Sequence, residues 1–138
     1  MSAAKKKQAQ GGSNGSEPHQ QVKRVRAGVK FRELETLRRG LGLPLTLLSE
    51  KLGISRATLH RRKTTGRLDP NESDKVVRYE RLLRQASQVF GSTESARQWL
   101  SFPQFGLGGA IPLDYARTEV GAREVEHLLG RIEWGVLS

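Results

Sequence analysis

The stretch Leu45–Lys63, LTLLSEKLGISRATLHRRK, decides how this chain folds. Its first half carries leucines three or four residues apart, which is the spacing of one helix face, and it leads to Gly53, which can adopt the left-handed conformation of a sharp turn. Ser55 can then cap a second helix by accepting a hydrogen bond from an early backbone amide. The pattern predicts helices at about residues 44–52 and 56–64 in a helix-turn-helix, a DNA-reading motif.

The second helix of this motif predicts which side chains contact DNA. Ile54 and Leu59 are expected to anchor its inner side, which leaves a basic outer side. The N-terminal turn of such a helix enters the major groove, so its first residues lie nearest the bases and the later cations, from Arg62 onward, lie nearest the phosphates. The candidate DNA-binding residues are Arg56, Ala57, Thr58, His60, Arg61, Arg62, Lys63 and Arg67.

Two observations leave an alternative open for this motif. Three short helices with a basic face can also form a small bundle that binds nothing. In addition, Arg62 stands where many helix-turn-helix motifs have an apolar residue.

The remaining sequence predicts an all-α fold, because no segment alternates with the period of a strand for long. Helical spacing and cap residues predict five further helical segments: about 30–40, about 71–90, one from Ser92 to before Pro103, a short turn at 112–118, and about 120–134. The last helix is expected to bury Val120, Val125, Leu128, Leu129 and Ile132. The glycines and prolines between Phe102 and Pro112 predict a compact loop.

The charge of +10 is unevenly distributed along the chain. Residues 1–30 have seven Lys and Arg side chains and one acidic residue, whereas residues 91–138 have four basic and six acidic residues. A basic front favours nucleic acid as a partner, and the mildly acidic back indicates a different partner. Residues 1–28 have almost no large apolar side chain, so we expect a disordered basic tail, either an arm that follows DNA phosphates or a solubilising leader.

The predicted organisation is therefore a disordered basic tail (1–28), a helix-turn-helix DNA-binding domain (29–90) and a small C-terminal helical domain (91–138). The chain has no cysteine and no apolar run of membrane-spanning length, so we expect no membrane partner and a cytoplasmic protein. Its three histidines are far apart in sequence and its glutamates have the spacing of a charged helix face, so we expect no metal, no cofactor and no catalysis.

The sequence also resembles a known family, the Xre/MbcA/ParS antitoxins of RES-type toxin–antitoxin pairs. The first half of the resemblance lies in Ser55–Lys63 and in Gly66-Arg67-Leu68. The second half lies in the C-terminal pattern, above all Leu107-Gly108-Gly109, Ile111-Pro112-Leu113 and the ending from Arg131 to Val136. The combined spacing carries the resemblance, which covers about residues 30–138.

The resemblance implies an antitoxin that dimerises, binds its own promoter and neutralises a RES-domain toxin that consumes NAD. It implies that the C-terminal domain binds the toxin and that its last residues reach the entrance of the toxin's active site and cover it. The implied toxin-binding residues are Arg131, Glu133, Trp134, Val136, Leu137 and Ser138. A freestanding helix-turn-helix repressor, whose C-terminal half only dimerises, is the alternative function.

The residues themselves agree in part with the implied toxin-binding role. Trp134 stands at the end of the last predicted helix and Val136 and Leu137 follow it closely, and exposed apolar termini often mark a partner surface. Trp134 and Leu137 could equally fold back on the core, which the sequence leaves open.

Overall fold

The fold is helical throughout the part of the chain that the computed structural model describes, residues 18–135. The helices are α1 (Pro18–Ala27), α2 (Phe31–Leu41), α3 (Leu45–Lys51), α4 (Arg56–Thr65), α5 (Pro70–Phe90), α6 (Thr93–Ser101), α7 (Pro112–Tyr115) and α8 (Glu119–Glu133), with one 3₁₀ turn at Phe105–Leu107. Only isolated bridges, and no β-strand, occur in this range. The all-α prediction is confirmed.

Helix α5 is the central element of the fold. It packs against α1 and α2 on the N-terminal side and against α6 and α8 on the C-terminal side. Its buried residues, among them Val76, Tyr79 and Leu82, belong to a hydrophobic cluster that also contains Leu48 of α3 and Leu128 of α8. The helix-turn-helix and the C-terminal helices therefore share a core built around α5.

Helix α1 corrects the prediction that the disordered tail extends to residue 28. Pro18–Ala27 form a helix, and Val22 and Val25 lie at its boundary with α5. Arg24 holds α1 in place: its guanidinium makes two 3.0 Å hydrogen bonds to Glu80 of α5 and also pairs with Glu33 of α2. Glu80, and after it Glu33, raise the pKa of Arg24 against the opposing effect of burial. Residues 1–17 lie outside the described residues.

Two ionic contacts fix the C-terminal helices to the helix-turn-helix half. Lys51, at the end of α3, pairs with Asp114 of α7 at 2.5 Å. The buried guanidinium of Arg78 on α5 donates to the carbonyl of Arg117 at 2.8 Å and pairs with Glu119 at the start of α8 at 3.3 Å. Because one side chain bridges the end of α7 and the start of α8, the orientation of these two helices on α5 is well defined.

Helix α8 corrects one predicted core position. Val125, Leu128 and Leu129 are buried as predicted and Ile132 packs against the core, but Val120 is 75% exposed. Val120 precedes Val125 by five residues, which places the two roughly 140° apart around a helix. Gly121 and Ala122 occupy the inward positions instead.

Within the described residues, no helix is long and apolar enough to cross a membrane.

Tyr79 of α5 gives the fold a predictable dependence on alkaline pH. Its hydroxyl donates to the carbonyl of Leu113 at 2.6 Å, and burial raises the pKa of Tyr79 from 10.0 to about 12. The folded state therefore resists ionisation of this phenol more than the unfolded state does. Stability contributed by the neutral phenol is present below pH 10 and is lost as the pH rises toward 12.

We expect Tyr79→Phe to lose about 1 kcal/mol at neutral pH, the typical net value of one hydrogen bond. The difference between the two proteins should shrink and then reverse above pH 10, because only the wild type has this buried phenol to ionise. Urea denaturation of both proteins at neutral pH and at several pH values above 10 measures the difference. Parallel stability profiles for the two proteins would contradict the assignment.

Candidate functional site

The turn between α3 and α4 is held by local chemistry that the sequence predicted. Gly53 has the positive φ of 73° that a left-handed turn requires, and Ile54 is buried behind it. Ser49 of α3 is also buried. The Ser55 hydroxyl caps α4 by accepting from the amide of Thr58 at 3.1 Å. The predicted helix-turn-helix is thus confirmed in its local geometry.

Helix α4 presents most of the candidate DNA-binding side chains to solvent, and none of its residues is fully buried. Arg56 and Ala57 are exposed in its first turn, and Arg61 and Lys63 are exposed further along it. His60 is also exposed and Thr58 is half-buried, and the Thr58 hydroxyl accepts from Arg61 at 3.3 Å. The N-terminal half of α4 is therefore free to enter a groove, as a base-reading helix must be.

Arg62 is the exception among the predicted DNA contacts. Its guanidinium donates to both carboxylate oxygens of Glu72, at 2.8 and 3.1 Å, and to Asp69 at 3.3 Å. Glu72 raises the pKa of Arg62 by this hydrogen bonding. We therefore propose that Arg62 forms a structural ion pair and is not a phosphate contact. The pair joins α4 to the start of α5 and explains why a cation can stand at a position that is often apolar.

Arg67 follows the end of α4 by two residues, and its side chain is exposed. One of its guanidinium nitrogens donates to the carbonyl of Gly28 at 2.6 Å, and its backbone forms an isolated bridge with Lys30. Exposed Lys30 therefore lies next to Arg67, although the sequence analysis did not include it among the DNA contacts. The local sequence does not indicate that Lys30 and Arg67 are neighbours, because the bridge joins two segments that are far apart along the chain.

The C-terminal surface has a different character from α4. Arg131, Glu133 and Trp134 are exposed at the end of α8, and the Trp134 side chain is 79% exposed. Trp134 therefore does not fold back on the core, which settles the alternative that the sequence left open for this residue. The other candidate toxin-binding residues, Val136, Leu137 and Ser138, lie outside the described residues.

Two exposed phenylalanines on this half were missed by the sequence analysis. Phe102 is 64% exposed and Phe105 is 98% exposed in the segment between α6 and α7. The available signal was a pair of phenylalanines within a stretch rich in glycine and proline, where few core positions are expected. Among the described residues, no group of three or more His, Asp and Glu side chains could hold a metal ion.

Comparisons with known proteins match both halves of the chain. Residues 20–81 match the antitoxin Xre-like helix-turn-helix domain, and residues 85–135 match the antitoxin Xre/MbcA/ParS C-terminal toxin-binding domain. The antitoxin Xre of Yersinia enterocolitica is 34% identical over 119 residues, which cover 85% of this chain and 80% of that relative. The antitoxin Xre of Photorhabdus laumondii is 38% identical over 74 residues, which cover 53% of this chain and 50% of that relative.

A DNA-binding helix-turn-helix joined through α5 to a toxin-binding helical domain defines a DNA-binding antitoxin. The chain belongs to the Xre antitoxin family. Proteins of this family are regulatory and toxin-binding, not enzymes. The match of the C-terminal half to a toxin-binding domain also removes the main support for a freestanding repressor.

Proposed function

We propose that this chain is the antitoxin of a RES-domain toxin that consumes NAD, and that it neutralises the toxin by covering its active site. The segment from Arg131 to Ser138 covers the entrance, and the DNA-binding half represses the chain's own promoter as a homodimer. The exposed side chain of Trp134 is the observation that carries the occlusion model.

Trp134 supports occlusion because its indole has no role in the core. Leu128 and Leu129 are buried and Ile132 packs against the core, whereas Trp134 follows the end of α8 at Glu133. Tryptophan is the side chain most enriched at the energetic centres of protein interfaces. Flanking Arg131 and Glu133 are exposed and offer charges of both signs to a partner. The RES class of the toxin and its consumption of NAD rest on the sequence resemblance.

Promoter binding is supported by the free N-terminal half of α4. Arg56 and Arg61 can each donate two hydrogen bonds to guanine, while Lys63 and Arg67 can contact phosphates. A helix-turn-helix monomer reads only a few base pairs, and dimers read two half-sites about one helical turn apart. We therefore propose a homodimer on a two-fold symmetric operator.

Occlusion is tested by removing the terminal segment. We expect Trp134→Ala, and separately the deletion of residues 135–138, to weaken toxin binding by about tenfold or more, as the loss of an interface anchor does. Both variants should keep the wild-type melting temperature and promoter binding, because Trp134 is exposed and far along the chain from α4. Arg61→Ala is the matched control, which should lose DNA affinity and still neutralise the toxin. Full neutralisation by the deletion variant would rule out occlusion by this segment.

A further inference from the structure

The loop between α6 and α7 is closed at its base by hydrogen bonds and presents an aromatic side chain to solvent. The backbone amide of Gln104 donates to the carbonyl of Ala110 at 3.0 Å, and the amide of Gly109 donates back to Gln104 at 2.9 Å. The side-chain amide of Gln104 also donates to the carbonyl of Trp99 at 2.9 Å. These bonds close the loop at its base.

The tip of this loop is docked directly on α8. Leu107 is buried, and a side chain added at Gly106 would lie 2.8 Å from a methyl group of Leu128. The loop backbone therefore sits against α8 without room for an intervening side chain. Phe105, immediately before this contact, is 98% exposed, so its ring gains nothing from the folding of the chain. A phenylalanine on a preorganised loop loses little conformational entropy when a partner buries it.

We propose that Phe105 is a second anchor for the toxin and that its ring inserts into an apolar pocket on the toxin surface. This inference rests on the proposed function. The contact made by Phe105 lies on the C-terminal half but is separate from the terminal segment. It does not require the entrance of the toxin's active site. Phe102, three residues earlier in the same segment, is also largely exposed.

Charge and position favour a toxin over DNA as the occupant of this surface. Residues 91–138 have more acidic than basic side chains, so the surface does not attract phosphates, and the basic side chains of α4 lie on the other half of the molecule. The loop also falls within the segment that matches a toxin-binding domain. A second copy of this chain is the competing occupant, because it offers an apolar groove for the Phe105 ring. This groove lies between α1 and α5 and is lined in part by Val22, Val25 and Val77.

The test compares the full-length chain with its Phe105→Ala variant for binding to the purified toxin encoded beside its gene. We expect the variant to bind the toxin about 30-fold more weakly, the effect of removing an interface hot spot. Its melting temperature and promoter affinity should not change. Val22→Ala, an exposed apolar residue of α1, is the matched control and should bind the toxin like the wild type.

Three results would overturn the inference in distinguishable ways. Equal toxin affinity for the wild type and Phe105→Ala overturns the second anchor and leaves the proposed function intact. A loss of dimer by Phe105→Ala on size-exclusion chromatography, with unchanged toxin affinity, assigns the ring to a second copy instead. No binding of the toxin by the wild type overturns the proposed function itself, and with it this anchor.

Discussion

Gly121→Ala is expected to lower the melting temperature of the protein by about 10 °C or more, or to prevent folding. Gly121 is buried in the first turn of α8, where its amide donates to the Thr118 hydroxyl at 3.0 Å. A side chain added there would lie 1.7 Å from the carbonyl oxygen of Tyr115, at the end of α7. Backbone cannot rotate away as a side chain can, so α7 and α8 must separate. Overpacking of this kind costs about 3 kcal/mol or more, which gives the expected shift.

Gly130→Ala is the matched control for this prediction, because it makes the same substitution in the same helix. Apart from the neighbouring residues and the backbone of α8 itself, no atom lies within 4 Å of the position that the new methyl group would occupy. Alanine in the interior of a helix is more stable than glycine by about 0.5 to 1 kcal/mol, so this variant should melt slightly above the wild type. Thermal unfolding followed by circular dichroism measures both variants. Equal melting temperatures for the two would contradict the close approach of α7 to α8.

The double variant Arg56→Ala, Arg61→Ala is expected to weaken promoter binding by about 100-fold or more. Each bidentate contact between arginine and guanine contributes about 1 to 3 kcal/mol of discrimination, and both subunits of a dimer would lose it. Both side chains are exposed, so the melting temperature should stay that of the wild type. Fluorescence anisotropy with a labelled promoter fragment, at several salt concentrations, measures the loss.

Arg62→Ala distinguishes a role of Arg62 in DNA binding from its role in stabilising α4. The substitution leaves Glu72, which is 9% exposed, without its cation, so we expect a lower melting temperature than that of the wild type. At a temperature where the variant is folded, its promoter affinity should remain close to the wild-type value. A loss of DNA affinity equal to that of the double variant, with unchanged stability, would restore Arg62 as a DNA contact.

The helix-turn-helix could be predicted from sequence because its determinants are local. Ser55 caps α4 from within the same turn, and Gly53 supplies the positive φ between the helices. Predicted boundaries of 44–52 and 56–64 fall within one residue of the observed ends of α3 and α4. Capping and turn chemistry act over three or four residues, so a single sequence contains them fully.

The features that the sequence did not predict depend on distant partners. Helix α1 contains only two valines as large apolar residues, and its ion pair joins Arg24 to Glu80 across 56 positions of the chain. The ion pair of Arg62 with Glu72 likewise joins α4 to another helix. For Phe105, exposure depends on how the loop backbone packs on Leu128, which no local pattern records. Tertiary contacts decided all three cases.

The proposed pairing with an NAD-consuming toxin is tested most directly by the NAD content of cells that express the toxin with and without this chain. We predict that the toxin alone depletes NAD and that coexpression of the wild-type chain restores NAD to the level of cells without toxin. Persistent depletion in the presence of excess folded antitoxin would contradict neutralisation. An unchanged NAD level in cells that express the toxin alone, while their growth is arrested, would contradict the proposed class of toxin.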